Sequence, residues 1–408
     1  MSERGVHVQQ SEGRVRRFLA HFAMTVLSAA LINCAAQRSF AADPVEVRIG
    51  LLGQVAERPP KLSNLDVPPD NEGLAGGELS VKDNNTTGRF LGQKFSLKAV
   101  SVPPDGDVLN AFDELVQSGI QFVVLNVSAD RLIAIADKAK AQDVLLFNAG
   151  APDDRLRGEA CRANVMHIVP SRSMLADGLA QYLIWKRWTK WFLVTGRRDG
   201  DKLYADAVRR AAKKFGGKIV EEKIWDYGPD ARRTAQAEVP KFTQGANYDV
   251  MIVADEIGEF GEYLAYRTWS PRPVAGTQGL VPTSWHRTHE QWGAAQLQKR
   301  FFKTYKRRMT ALDYNVWAPI RLIGEGATRT NSGEFARIRD YIRGDDLELA
   351  GFKGQKLTFR PWNWQLRQPI LLAAPRAMVS VSPQQGFLHQ HSQLDTLGAD
   401  KPEAKCTF

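Results

Sequence analysis

Residues Gln121–Ala151 read QFVVLNVSADRLIAIADKAKAQDVLLFNAGA, and this stretch decides the fold. It begins with an apolar run, Phe122–Leu125, that is long enough for a buried strand and too short for an independent helix. Apolar residues then recur at helical spacing from Leu132 to Ala139, and a second apolar run, Val144–Phe147, follows. The order of strand, helix and strand predicts a βαβ unit of a parallel sheet.

Small and polar residues directly follow both predicted strands. Asn126 and Ser128 come after the first, and Asn148, Ala149 and Gly150 end the second. The carboxyl ends of parallel strands share one edge of the sheet, where open α/β sheets bind ligands. We therefore predict that these five residues line a ligand pocket. The alternative is that the polar side chains only cap ordinary loops.

The rest of the chain repeats this pattern without a fixed sequence period. Two successive arrays of strands and helices cover residues 45–165 and 166–281, and a mostly helical section, Glu290–Gly344, follows. The last predicted strand is Pro369–Ala374, and the tail from Pro375 onward is predicted to be an extended surface segment. The chain is thus predicted to be an α/β protein with two lobes.

Eight helices beyond the opening unit are predicted from composition and periodicity, and five of them are predicted with the following extents. They are Gly73–Asn84, Met174–Trp188, Arg232–Gln244, Glu259–Trp269 and a helix around Trp317–Gly324.

Further candidate ligand residues follow the strands of the second array. Asp255 and Glu256 come directly after the buried strand Tyr248–Ala254, and Gln278 and Trp285 follow the next short strand. We predict that all four contact the ligand. The alternatives are solvated carboxylates and a packed tryptophan.

The N-terminus has the three parts of a secretory signal. Arg14, Arg16 and Arg17 precede an apolar stretch, Phe18–Ala36, and Ser39–Ala41 offers small residues at the cleavage site. We predict that residues 1–41 are a signal peptide and that the mature protein is periplasmic. The alternative is an uncleaved membrane anchor, because the apolar stretch approaches spanning length.

Net charge and cysteine content bear on the expected partners and on the redox state of the protein. Removal of residues 1–41 takes away five arginines and two glutamates, so the formal charge falls from +10 to +7. The excess is not gathered into a basic block with interleaved aromatic residues, so we expect no nucleic-acid partner. The mature chain keeps Cys161 and Cys406, which in an oxidising compartment are either paired or free.

Motifs for chemistry are missing from the sequence. It has no glycine-rich phosphate loop, no nucleophile elbow, no reactive-cysteine motif and no zinc spacing with a third ligand nearby. We therefore predict no catalytic residue, no metal site and no cofactor, and expect a protein that is not an enzyme.

Several motifs resemble those of type I periplasmic solute-binding proteins of the branched-chain amino-acid type. Glu72–Asn85 resembles that family's first helix, Asn315–Glu325 its late helix and Gly351–Phe359 its late turn. The stretches Asn84–Gln93 and Arg360–Trp364 are similar to a subgroup of ABC-transporter binding components linked to pyrroloquinoline-quinone-dependent alcohol oxidation. The resemblance covers essentially the whole mature chain.

The resemblance implies two lobes joined by three hinge crossovers, near residues 165, 281 and 362. Residues 42–165 and 282–362 would form one lobe. Residues 166–281 and 363–408, with the C-terminal tail, would form the other.

The resemblance also implies how a ligand is held. In amino-acid-binding relatives, hydroxyl and backbone N–H groups at the places of Ser128 and Asn148–Pro152 hold the ligand carboxylate, and an acid of the second lobe faces the ammonium. Here the second of these places lacks a hydroxyl, and Gln278 stands where the acid is expected. Asp255 or Glu256 could supply that charge instead.

The expected function is that of a monomeric periplasmic component of an ABC-type importer, which binds a small polar organic solute and docks on a membrane permease. The alternatives are an accessory or carrier protein of a periplasmic alcohol dehydrogenase system, or a ligand sensor.

Overall fold

The computed structural model describes residues 45–56, 67–226, 231–245 and 247–408. The predicted signal peptide, residues 1–41, lies outside these ranges. The described strands are β1 (Val45–Gln54), β2 (Gln93–Val102), β3 (Phe122–Asn126), β4 (Leu145–Asn148), β5 (Val165–His167), β6 (Lys190–Thr195), β7 (Lys218–Ile224), β8 (Val250–Ala254), β9 (Val274–Gly276), β10 (Val281–Thr283), β11 (Leu349–Ala350), β12 (Lys356–Phe359), β13 (Leu366–Arg367), β14 (Ile370–Ala374) and β15 (Ala377–Ser382). The described helices are α1 (Leu74–Gly88), α2 (Val108–Gln117), α3 (Ala129–Lys138), α4 (Arg172–Trp185), α5 (Asp199–Phe215), α6 (Ala231–Phe242), α7 (Gly261–Leu264), α8 (Ala294–Tyr305), α9 (Ala311–Thr330) and α10 (Phe335–Arg343).

The first lobe is built on a five-stranded parallel sheet. Its order is β2-β1-β3-β4-β5, so the predicted βαβ unit lies in its middle. Apolar residues of α2 and α3 pack against one face of the sheet, and those of α1, α8, α9 and α10 pack against the other. Both faces are buried at the middle of the sheet, which explains why β3 and β4 are continuous apolar runs.

The second lobe is built on a four-stranded parallel sheet with the order β7-β6-β8-β9. Helices α4 and α5 pack against one face, and α6 and α7 against the other. An antiparallel sheet, β10-β14-β15, adds to this lobe, and its Ile370 and Leu372 share a core with α4.

The chain passes between the two lobes three times. It crosses between β5 and α4, between β10 and α8, and between β13 and β14. The observed architecture confirms the predicted two-lobed α/β fold. Within the described residues, no helix combines the length and the apolar character that crossing a bilayer requires.

The predicted helix Glu259–Trp269 is wrong over most of its length. Only Gly261–Leu264 is helical, because the buried Asp255 carboxylate accepts the backbone N–H groups of residues 258–261 and holds them in a tight loop. Ala265 is extended and Tyr266 has a positive φ of 65°, so the helix does not continue. The other four helices are present with somewhat different ends, and α9 extends to 20 residues.

The prediction of an extended surface tail is also wrong. Residues Ala377–Ser382 pair with β14 as an antiparallel strand, and Leu394 and Leu397 are buried. The sequence there has no helical or strand period because short turns, each fixed by tertiary contacts, carry the apolar residues inward.

Candidate functional site

The carboxyl ends of β3 and β4 lie side by side, as predicted. Leu125 is the register partner of Asn148 in the parallel pair. Asn126 is half-buried, and the exposed Ser128 is the N-cap of α3, whose Oγ accepts the backbone N–H of Arg131 at 3.5 Å. The Asn126 side chain lies against Gly150, where an added Cβ would collide with its Oδ1, so the close approach of the two loops requires glycine.

Asn148 and Ala149 shape the loop after β4 and do not open into a pocket. The Asn148 amide donates to the Ala151 carbonyl at 2.8 Å, and its Oδ1 accepts the Ala151 N–H at 2.9 Å. Both residues are buried, and the Ala149 carbonyl accepts a hydrogen bond from Asn315. In this conformation both side chains are buried and Asn148 holds the loop, and the ligand contacts of Asn148 and Ala149 stay a prediction.

Asp255 is buried and fully occupied by backbone groups. Its Oδ1 accepts from Gly258 and Glu259 at 3.1 and 2.9 Å, and its Oδ2 accepts from Phe260 and Gly261 at 2.8 and 2.6 Å. The residue is 1% exposed. The carboxylate is thus engaged by its own loop in this conformation, and its contact with a ligand stays a prediction.

Glu256 lies at the junction of the two lobes, paired with an arginine. Its two carboxylate oxygens accept from Arg172 Nε and Nη2, both at 2.7 Å. The side chain of Glu256 is 23% exposed. Gln278 is half-buried and packs against Gly261.

Trp285 is a core residue of the first lobe. It is 2% exposed and stacks on Tyr314 with ring centroids 4.6 Å apart. Its indole belongs to the apolar cluster beneath α9, which agrees with the alternative of a packed tryptophan, and the ligand contact of Trp285 stays a prediction.

Arg172 joins both lobes and was missed by the sequence analysis. It begins α4 directly after the first crossover, and its Nη1 lies 3.0 Å from Asp153 Oδ2 of the loop after β4. Burial acts to lower the pKa of Arg172, but the hydrogen bonds and charge of Glu256, together with Asp153, raise it. Arg172 therefore stays charged and links the carboxyl edges of the two sheets. A single arginine at a helix start carries no sequence signal for such a role.

Arg157 is a second positively charged residue, and it packs against the loop after β4. It is buried and donates to the carbonyls of Ala151, Asp153 and Val169 and to Gln365 Oε1, at 2.8–3.0 Å. Burial lowers its pKa to about 10, which still leaves it protonated at neutral pH. This arginine fixes the loop to the first and third crossovers.

A cavity of about 650 Å³ opens between the lobes at Arg172. None of the nine predicted ligand residues lines it, although Glu256 reaches it through its ion pair with Arg172. Its walls come from the start of α3, the loop after β4, the start of α4 and helix α5. The lining residues are Asp130, Asp153, Asp154, Arg155, Glu159, Arg172, Ser173, Asp199, Gly200, Leu203, Asp206, Ala207 and Arg210. Residues of both lobes therefore enclose one space at the carboxyl ends of both sheets.

Residues 72–238 match the model of a family described as periplasmic binding protein. A periplasmic binding protein from Burkholderia mallei superimposes with a TM-score of 0.63 at 16% identity, over 89% of this chain and 98% of that one. The chain has the type I periplasmic-binding-protein fold.

Two further solved structures share this binding-protein fold. A branched-chain amino-acid ABC transporter ligand-binding protein from Burkholderia xenovorans matches with a TM-score of 0.65 at 16% identity, over 82% of this chain and 95% of that one. A solute-binding protein of an ABC transporter from R. palustris, in complex with benzoate, matches with a TM-score of 0.63 at 13% identity, over 89% of this chain and 100% of that one. No curated protein sequence matches this chain.

Proposed function

We propose that this protein is the periplasmic solute-binding component of an ABC-type importer and holds a small organic solute between its lobes. The observation that carries the proposal is the cavity at Arg172, which residues of both lobes enclose where the carboxyl ends of the two sheets meet. Ligand sites at this edge are the rule for open α/β sheets.

The mechanism is hinge closure about the three crossovers. The predicted lobe boundaries, near residues 165, 281 and 362, lie close to these crossovers. The crossovers would therefore act as the hinge. A solute shifts the protein toward the closed state only by contacts that exist in that state. The closed form would then dock, as a monomer, on a membrane permease. The protein performs no chemistry on the solute in this scheme.

The proposed solute does not pair an ammonium group with Asp255 or Glu256. Asp255 is occupied by four backbone N–H groups, and Glu256 is neutralised by Arg172. Removing one partner of a buried ion pair typically costs about 3–5 kcal/mol, and an ammonium buried here would meet no spare carboxylate from either residue. Asn126, Ser128, Gly150, Glu256 and Gln278 are the predicted residues that solvent still reaches. None of them lines the cavity at Arg172 in this conformation, and we propose that hinge closure brings them to the solute.

A link to pyrroloquinoline-quinone-dependent alcohol oxidation is the finer part of the proposal. It rests on the resemblance of Asn84–Gln93 and Arg360–Trp364 to one subgroup. The second candidate is an accessory or carrier protein of that oxidation system. Genes for a permease and an ATPase beside this gene favour the importer, and a dehydrogenase gene without them favours the carrier.

A thermal-shift screen tests the proposal. The panel contains branched-chain amino acids, short and aromatic carboxylic acids, aldehydes, polyamines and redox cofactors. A ligand present at a hundred times its Kd stabilises the folded protein by about 2.7 kcal/mol, a readily measured rise in Tm. We expect a carboxylic acid or an aldehyde to raise Tm, and Arg172→Met to abolish the rise. Glu262→Gln, an exposed change in the second lobe, is the matched control. A panel in which no compound changes Tm would contradict solute binding of this class.

A further inference from the structure

The earlier part of the C-terminal segment, residues 384–408, packs on the second lobe. Leu397 belongs to the apolar core of α4 and α5. The buried Asp177 of α4 accepts the backbone N–H of Gly398 at 2.8 Å, and Lys214 and Arg210 of α5 donate to the Gly398 carbonyl at 3.1 and 3.0 Å.

The next residues keep the segment on α5. Arg210 also pairs with Glu403, with its Nη2 3.0 Å from Oε2. The same guanidinium contacts Asp177 of α4. The Arg210 side chain of α5 therefore contacts both α4 and the C-terminal segment. Arg210 lines the cavity between the lobes, so this fastening lies at the edge of the proposed site.

The last residues are fastened to the first lobe. Cys406 forms a disulfide with Cys161, whose Cα atom is 5.8 Å away and which lies in the loop between β4 and β5. The ring of Phe408 stacks on Trp364, with ring centroids 5.9 Å apart, and Trp364 packs against the core of the first lobe.

Only two residues, Ala404 and Lys405, lie between the two points of attachment. Glu403 is tied to α5 of the second lobe, and Cys406 is tied to the first lobe. Three Cα-to-Cα steps of fully extended chain span about 10 Å. The cavity between the lobes has α5 on one side and the chain from Asp153 to Glu159 on the other, so this short link bounds the distance by which those two walls can separate.

We propose that residues 394–408 form a disulfide-fastened strap across the two lobes, which limits how far the cleft opens. This inference rests on the hinge closure proposed above. Ionic and apolar contacts hold the strap on the second lobe, Arg360 and Arg367 contact it at Asp395, and the disulfide ties it covalently to the first lobe. Opening of the disulfide removes this covalent tie and leaves the strap attached to α5.

Interlobe distances test the strap directly and need no ligand. Nitroxide labels are attached to p-acetylphenylalanine introduced at Asp130 and Asp199, two exposed residues on opposite walls of the cavity. The mature protein from Ala42 onward is used in every sample, so that Cys161 and Cys406 are its cysteines. Pulsed electron spin resonance then compares the unchanged strap with Cys161→Ser/Cys406→Ser and with the unchanged strap after reduction.

We expect a longer mean distance and a broader distribution in both samples that lack the disulfide. Glu403→Gln weakens the ionic fastening while the disulfide remains, and we expect an intermediate broadening. Distributions that stay identical when the disulfide is opened, with only Tm lowered, would overturn the strap and leave the disulfide as a stabiliser of the fold. Reduction of the folded protein serves as the test if the double variant does not fold.

The outcome also separates this inference from the proposed function. A protein that binds no compound of the panel but broadens its distance distribution on reduction has a strap without the proposed solute. A protein that binds a solute with the same distribution before and after reduction has the function without the strap.

Discussion

At the residue scale, the hydrogen-bond partners of two adjacent carboxylates set the charge that the cleft offers to a ligand. Asp255 and Glu256 follow the same strand. Asp255 accepts hydrogen bonds from the backbone of its own loop, whereas Glu256 forms an ion pair with Arg172. A carboxylate whose lone pairs are occupied in this way cannot also stabilise a ligand ammonium.

Leucine, isoleucine and valine are therefore expected to bind weakly. The missing counter-charge, about 3–5 kcal/mol, corresponds to roughly two to four decades in Kd. Titration calorimetry measures this, and we expect no saturation at micromolar concentrations for any of the three. Micromolar binding that is lost in Glu256→Gln but kept in Glu262→Gln would show that Glu256 leaves Arg172 and takes the ammonium.

His167 is a second residue whose partners have a measurable consequence. It ends β5, where it is buried, and its Nδ1 lies 3.1 Å from Asn148 Nδ2. Burial, and then the charge of Arg157, lower its pKa well below the ordinary value. The folded protein therefore keeps this imidazole neutral in a pH range where the unfolded chain protonates it.

Acid is expected to destabilise the protein partly through His167. The stabilisation is fully present above the unfolded pKa of about 6.5 and is lost as the pH falls below it, by at most about 1.4 kcal/mol per pH unit for one proton. Urea unfolding between about pH 7.5 and about pH 5.5 measures the loss, and we expect His167→Gln to reduce it. His391→Gln, a change at an exposed histidine, should leave the pH dependence unaltered. Equal slopes for His167→Gln and the unchanged protein would contradict this account.

At the element scale, the C-terminal segment shows how buried charges fix a stretch without periodicity. Asp395 is buried and accepts from Arg360 Nε at 2.8 Å and from Arg367 Nε at 2.9 Å. Arg360 also donates to the carbonyls of Leu394 and Leu397, both at 2.7 Å. Arg360, directly after β12, and Arg367, the last residue of β13, thus hold the short helical turn around Asp395 in place.

Asp395→Asn is expected to lower the free energy of unfolding by about 3–5 kcal/mol, because it leaves the buried Arg360 without a carboxylate. Urea unfolding at neutral pH measures the loss. Glu334→Gln breaks an exposed pair with Arg337 and should change the stability by no more than about 1 kcal/mol. Losses of the same size in the two variants would show that the Asp395 network does not hold the segment.

At the scale of the whole molecule, the first and last parts of the chain bear on where the protein works. The predicted signal peptide precedes β1, and the Cys161–Cys406 disulfide suits an oxidising compartment. Both features agree with the proposed periplasmic location.

Export is expected to remove residues 1–41. N-terminal sequencing of protein from the periplasmic fraction should begin at Ala42, because Ser39–Ala41 presents small residues to signal peptidase. The cytoplasmic fraction provides the uncleaved comparison. An intact N-terminus retained in the membrane fraction would favour the anchor that the length of Phe18–Ala36 also permits.

The sequence by itself determined the architecture of this protein. Apolar runs such as Phe122–Leu125 and Val144–Phe147 are buried on both faces of a parallel sheet, so their composition alone specifies strands and their alternation with helices. The same alternation predicted that Asn126, Ser128 and Gly150 would meet at one edge of the sheet.

Only the tertiary structure decided which polar residues face the cleft. Asp255, Asn148 and Trp285 follow strands as surely as Glu256 does, yet the first two turn toward local backbone groups and Trp285 packs on Tyr314. Arg172 contacts both Asp153 and Glu256 because the first crossover brings it between their loops, which are far apart in sequence. Local composition fixes a strand, whereas the direction of a polar side chain depends on partners that only the folded chain assembles.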